Sequence, residues 1–150
     1  MSMKNDNHRY GAVSRALHWG IAALAIAAIV FVEIHSLFPK GSEPRTAVVG
    51  VHIQLGLLLF GLTWLRLAWR SANPPPAIVP APREWEARLA TVMHVAFYAA
   101  MIALPLLGVA MGQAGGKTVA FLGMPLPLFL AEDKALGKTL KEVHEIIGNV

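Results

Sequence analysis

Residues 16–32 read ALHWGIAALAIAAIVFV, seventeen consecutive positions without a charged side chain. About 17–25 mostly apolar residues are enough for a helix to cross a bilayer. In lipid only a helix or a closed barrel satisfies its own backbone. Two further uncharged runs lie downstream, residues 46–65 and residues 89–116, of 20 and 28 positions. The first run continues past Glu33 towards Phe38, so all three predict membrane-spanning helices. Lys4, Arg9 and Arg15 precede the first run, and Ala23-Leu24-Ala25 mimics a signal-peptide cleavage site. A cleaved apolar core is only about 7–15 residues long, so this longer run reads as a span.

Composition agrees. The chain has 150 residues, 55% hydrophobic and 15% charged, against about 25% charged for an ordinary soluble domain. Its mean hydropathy of +0.53 rules out disorder. The length suits one domain, residues 1–150. With no cysteine, disulfides, Cys-based zinc sites, iron–sulfur clusters and covalently attached haem are excluded. A net charge of +4 in so apolar a chain suits anionic lipid headgroups, and no motif or long basic stripe points to nucleic acid.

The connections follow from turn chemistry. Residues 38–45 form a tight polar loop, and residues 71–82, with Asn73-Pro74-Pro75-Pro76, a stiff extended linker. Residues 112–138 are apolar but broken by prolines, which predicts a cap on the bundle or an interfacial segment. Pro105 falls inside the third span, where a membrane bundle tolerates it. From Lys138 onwards Thr139 and Glu142 give a capping-box pattern for a fourth helix. That helix stops after about 12 residues, a marginal length, so the chain is expected to be truncated. Together these elements predict an all-α, up-and-down transmembrane bundle of three full spans and the start of a fourth. Seven Lys/Arg on the N-terminal tail and second loop, against six on the other face, favour a cytoplasmic N-terminus. Trp19, Trp64, Trp69 and Trp85 sit near span ends, as interfacial anchors do.

Histidine carries the chemistry. His8 is in the polar tail and His35 at the end of the first span, whereas His18, His52, His94 and His144 fall on helices. Because spans alternate in direction, His18 and His94 lie towards one face and His52 and His144 towards the other. Polar groups at membrane depth face the bundle interior and mark function. Two imidazoles from different helices can fill both axial positions of a haem iron, which suits electron transfer rather than oxygen binding. Ala22, Gly56 and Gly148 each lie four residues after His18, His52 and His144, on the same helix face, leaving room for a flat ring or for close helix packing. Phe97 and Tyr98 make the His94 face bulkier; an iron ligand, an interhelical hydrogen bond and a quinone contact all remain open for it. Zinc-protease, P-loop, GxSxG and dinucleotide signatures do not occur.

Tyr10, Arg15-Ala16-Leu17-His18-Trp19, Phe38-Pro39-Lys40, Val51-His52, Pro74-Pro75-Pro76 with Pro80, Tyr98 with Ala103-Leu104-Pro105, and Leu140-Lys141-Glu142-Val143-His144-Glu145 occur in this order. In that arrangement the chain resembles, over essentially its whole length, the bacterial cytochrome b561 family, small di-haem cytochromes related to the b-type subunits of nickel hydrogenases. The resemblance implies a four-helix inner-membrane bundle with two b-type haems. It implies electron transfer between ubiquinone or another quinone and a second redox partner, hence quinone-linked oxidoreductase chemistry. Carried over by position, His52 and His144 are the axial pair of the haem nearer the periplasm, and His18 a ligand of the haem nearer the cytoplasm. The partner of His18 is expected about four turns further along the fourth helix, beyond residue 150; the alternatives are that His94 replaces it or that one haem only is bound. Lys40, Arg45, Lys138 and Lys141 are the cations expected beside the periplasmic haem, for its propionates, for lipid headgroups, or for an anionic donor such as superoxide, which the small stand-alone members make an expected partner. Two rival functions are a membrane-anchor cytochrome subunit of a larger oxidoreductase such as a hydrogenase, and a haem-free structural or transport fragment.

Overall fold

The computed structural model describes residues 2–149; Met1 and Val150, the ends of the single domain read from the sequence, lie outside the described residues. Helix α1 spans Ala12–Ile34 and runs into a 3-10 turn, His35–Leu37. Helix α2 spans Glu43–Ala72, α3 Glu84–Ala114 and α4 Lys134–Gly148. The expected all-α bundle is present. The described strand residues are confined to one small hairpin, β1 (Ala120–Phe121) against β2 (Met124–Pro125).

The first span with its 3-10 turn has 26 residues, and α2 and α3 have 30 and 31. At about 1.5 Å per residue they measure roughly 39–46 Å, more than the roughly 30 Å of hydrocarbon. Their ends therefore reach the headgroup region. Apolar side chains face outward along them: Ile26 is 63% exposed and Leu106 53%. Uncovered apolar surface on this scale marks a membrane interface. The protein interior is thin, with Ile21, Ala28, Leu59 and Thr63 buried between the spans. The Thr63 hydroxyl is satisfied by the Leu59 carbonyl at 2.7 Å.

The chain runs up and down. α1 packs chiefly on α2 and α4 chiefly on α3, while α2 and α3 join the two pairs. One end of the bundle, the N-tail face, gathers the tail, the end of α2 and the start of α3. The opposite hairpin face gathers the 38–42 loop, β1–β2 and the start of α4. Ser42 caps α2, and Pro44 follows in the first turn, where its missing N–H costs nothing. Two glutamines clasp the segment between α3 and α4. The Gln54 carboxamide donates to the Ala120 carbonyl and accepts from Leu122 N–H, both at 2.8 Å. Gln113 donates to the Pro127 carbonyl at 2.7 Å and accepts from Phe129 N–H at 3.0 Å. The segment is thus a structured cap.

Several helix boundaries differ from the sequence reading: α2 begins at Glu43, inside the expected 38–45 loop, because Ser42 caps it, and runs to Ala72, into the expected 71–82 linker. α4 begins at Lys134, capped by Asp133, whose carboxylate accepts from Ala135 and Leu136 N–H at 3.0 Å. Thr139 lies inside the helix, with its hydroxyl on the Ala135 carbonyl one turn back. Gly137 does not break the helix. It is buried where α4 meets α3, and a Cβ there would stand 3.1 Å from Gly115 N.

Candidate functional site

On the hairpin face, His52 comes from the third turn of α2 and His144 from the third turn of α4. Their rings face each other, with centroids 6.2 Å apart and planes at 78°. His52 Nδ1 is 2.8 Å from the Ala28 carbonyl of α1. A carbonyl can only accept, so Nδ1 carries the proton and Nε2 keeps its lone pair. His144 Nδ1 is buried without a hydrogen-bond partner among the described residues. Gly108 of α3 lies under the His144 ring; its Cβ position is 3.5 Å from Cε1. Gly56 and Gly148 have open space where a side chain would stand.

On the N-tail face a cavity of about 300 Å³ is lined by His18 of α1 and His94 of α3. Its wall also carries Arg15, Arg66 and Arg70, and no acidic side chain. Arg66 Nε donates to the Tyr98 hydroxyl at 2.9 Å. The His94 Nδ1 bonds the Ala90 carbonyl at 2.6 Å, one turn back, which leaves Nε2 unengaged by that bond. Trp69 also lines this cavity, with its indole N–H on Ser14 Oγ at 3.0 Å, so it braces the interior as well as the interface. Outside the spans, Asp6 accepts from the His8 and Arg9 amides, which hold its carboxyl below its ordinary value of 3.8.

The two-level arrangement expected from the alternation of spans is therefore present. Imidazoles of α2 and α4 meet near one face, and those of α1 and α3 share a cavity near the other. Sequence reasoning missed Gly108, the three converging arginines and the tail. The cations expected near the hairpin face are differently engaged. Arg45 donates to the Phe38 carbonyl at 2.9 Å, and Lys141 pairs with Glu145 at 2.6 Å. Lys138 stands 3.9 Å from Glu142. His35 Nδ1 contacts the Val32 carbonyl, and His8 is exposed.

A family profile for prokaryotic cytochrome b561 matches residues 9–150. The chain belongs to the prokaryotic cytochrome b561 family. It is 29% identical over 143 residues to cytochrome b561 homolog 1 of Escherichia coli K12, covering 95% of this chain and 81% of the relative. It is 28% identical over 142 residues to a probable superoxide oxidase CybB of Yersinia pestis, covering 95% and 80%. Cytochrome b561 homolog 2 of Escherichia coli K12 is 28% identical over 152 residues, covering 96% and 77%. A member of this family is a multi-pass membrane electron carrier that works with b-type haem.

The residues at the hairpin face fit that group. A metal–imidazole bond of roughly 2 Å, added to about 1 Å from nitrogen to ring centre, puts a shared metal about 3 Å from each centroid. That is half the 6.2 Å observed. His52 has Nδ1 tied to a carbonyl, the arrangement that orients an imidazole ligand, and His144 leaves a buried nitrogen without a partner among the described residues.

Proposed function

We propose that this protein carries electrons across the bacterial inner membrane, between the quinone pool and a redox partner at the opposite face. His52 and His144 would hold a b-type haem near the hairpin face, and His18 would help to hold a second near the N-tail face. The facing of the His52 and His144 rings carries the reading. A haem held by these two imidazoles would supply one-electron redox chemistry, which suits electron transfer. The Ala28 carbonyl fixes the tautomer and tilt of His52. The close helix crossing at Gly108 lets α4 present His144 without a side chain beneath it. The apolar spans exclude water and keep the local dielectric low.

At the N-tail face, the arginines give the His18 cavity a positive lining suited to haem propionates or to the carbonyl oxygens of a quinone head group. Tyr98 steadies Arg66 there. The Lys/Arg distribution supports this face as cytoplasmic. Superoxide as the donor at the hairpin face is supported by the likeness to the probable superoxide oxidase of Yersinia pestis. Lys40, in the 38–42 loop, is an exposed cation on that face that can attract such an anion.

The assignment is tested by replacing His52, His144 and His94 singly with Ala and recording visible spectra with haem per polypeptide. Loss of an axial bond in H52A or H144A abolishes the low-spin signal of the hairpin-face haem, and H94A retains it. Unchanged haem in both H52A and H144A refutes the pairing. Loss of that same signal in H94A means that the helices are wrongly paired.

A further inference from the structure

The N-terminal tail ahead of α1 is folded onto the bundle, and one side chain holds it there. Asn5 uses its whole carboxamide. Nδ2 donates to the carbonyls of Asn73 at 2.9 Å and Pro74 at 3.1 Å, at the end of α2. Oδ1 accepts from Gly11 N–H at 2.9 Å and from the Ser14 hydroxyl at 2.7 Å, at the start of α1. Two donors and two acceptor sites are all that an asparagine offers. The partners also fix its orientation, because carbonyls cannot donate and an amide N–H cannot accept.

The network continues inward. Ser14 Oγ accepts from the Trp69 indole, and Ser14 lies one turn before His18. Asn5, Ser14 and Trp69 all line the cavity that holds His18. A second, independent contact holds the tail. A Cβ at Gly11 would collide with the backbone of Met3 and Lys4, so the tail packs where only glycine fits. The Ser2 carbonyl also takes up the otherwise unpaired Ala12 N–H of the first turn of α1, at 2.9 Å.

We propose that Asn5 is a positioning residue for the His18 cavity: it holds the tail, whose Asn5 and Tyr10 line that cavity, in place and sets the His18 turn of α1 against the Arg66–Arg70 turn of α2. The inference rests on the reading of His18 as a haem ligand. Its effect on iron is indirect, through Ser14 and Trp69. Gln is too long to keep all four bonds. Asp keeps the two accepted bonds and loses the two donated ones.

The test uses the full chain with haem bound, as wild type, N5A, N5D, G11A and H18A. Two properties are measured: hydrogen exchange at the amides of residues 11–13, and the midpoint potential and low-spin signal of the haem that H18A removes. In N5A those amides exchange about tenfold faster, as the loss of protecting hydrogen bonds implies. The His18-dependent signal shifts in potential, while the His52–His144 signal stays in place. G11A reproduces both changes by steric displacement of the tail, and N5D, which turns a carboxylate oxygen towards the Asn73 and Pro74 carbonyls, is no closer to wild type than N5A. Wild-type exchange and potential in N5A overturn the proposal. So does parallel loss of both haem signals, which would be general destabilisation. If H18A removes no signal from wild type, the haem reading of the cavity fails and the positioning role falls with it, while the exchange data still report whether Asn5 pins the tail.

Discussion

At the residue scale, hydrogen bonds limit what each imidazole can do. His52 and His94 each hold Nδ1 on a backbone carbonyl, but the acceptors differ. The bond from His52 crosses to α1 and fixes the ring relative to another helix, whereas that from His94 returns to its own helix. Only the first registers two elements against each other. Histidine positions and depths were legible in the sequence, because a 3.6-residue helix and alternating spans fix them. The room for His144 was not. The sequence draws attention to small residues one turn away on the histidine's own helix, but the glycine under the ring, Gly108, belongs to α3 and becomes a neighbour only through tertiary packing. Its Cβ position is 3.5 Å from His144 Cε1, an ordinary contact. G108A is therefore expected to keep the hairpin-face haem, and G108L to push the His144 ring aside and lose most of it. Haem per polypeptide checks this; full haem in G108L would show that the ring is not held there.

At the element scale, two positions resist sequence reading because tertiary contacts override local preference. Gly137 looks like a helix stop, yet α4 runs through it because α3 approaches too closely for a side chain. In G137A a gain of up to about 1 kcal/mol in helix propensity opposes the tight contact. G137V lacks most of that gain and adds two methyls against backbone, so it is expected to destabilise by about 1–3 kcal/mol. Two turns on, it also carries His144 away from His52. Thermal unfolding with haem content reads both effects. The hairpin was equally illegible. Leu122 and Gly123 form its two-residue loop with φ of 49° and 82°, the pair of positive values that a type I′ turn needs. Leucine at the first position is strained, and its amide is held by Gln54. L122N is expected to stabilise the protein by about 0.5–1 kcal/mol, seen as a higher unfolding temperature; destabilisation would show that the leucine side chain contributes more than its backbone strain costs.

At the scale of the whole molecule, three apolar helices longer than the hydrocarbon layer leave little freedom. They fix the up-and-down bundle and put the tail and the 73–83 linker on one face and the hairpin on the other. The fold class was legible for this reason. The arginine cluster was not, since Arg15 of α1 is far in sequence from Arg66 and Arg70, which share one turn of α2, and joins them only when α1 and α2 pack. The tail was illegible too, because its ties to Asn73 and Pro74 span 68 and 69 residues. The cysteine-free chain makes sidedness directly measurable. Single cysteines placed at Ser2 and Ser42 are expected to differ towards an impermeant thiol reagent, the one at Ser42 labelling in intact cells and the one at Ser2 only once the membrane is permeabilised; labelling of both in intact cells would refute the topology. The central claim, a bis-histidine haem between α2 and α4, is tested most directly by a reduced-minus-oxidised visible spectrum of the purified chain with haem quantified per polypeptide. Sharp low-spin b-type bands in the wild type that vanish in H144A are the expected result. A folded wild-type protein without such bands, or an unchanged spectrum in H144A, would contradict it.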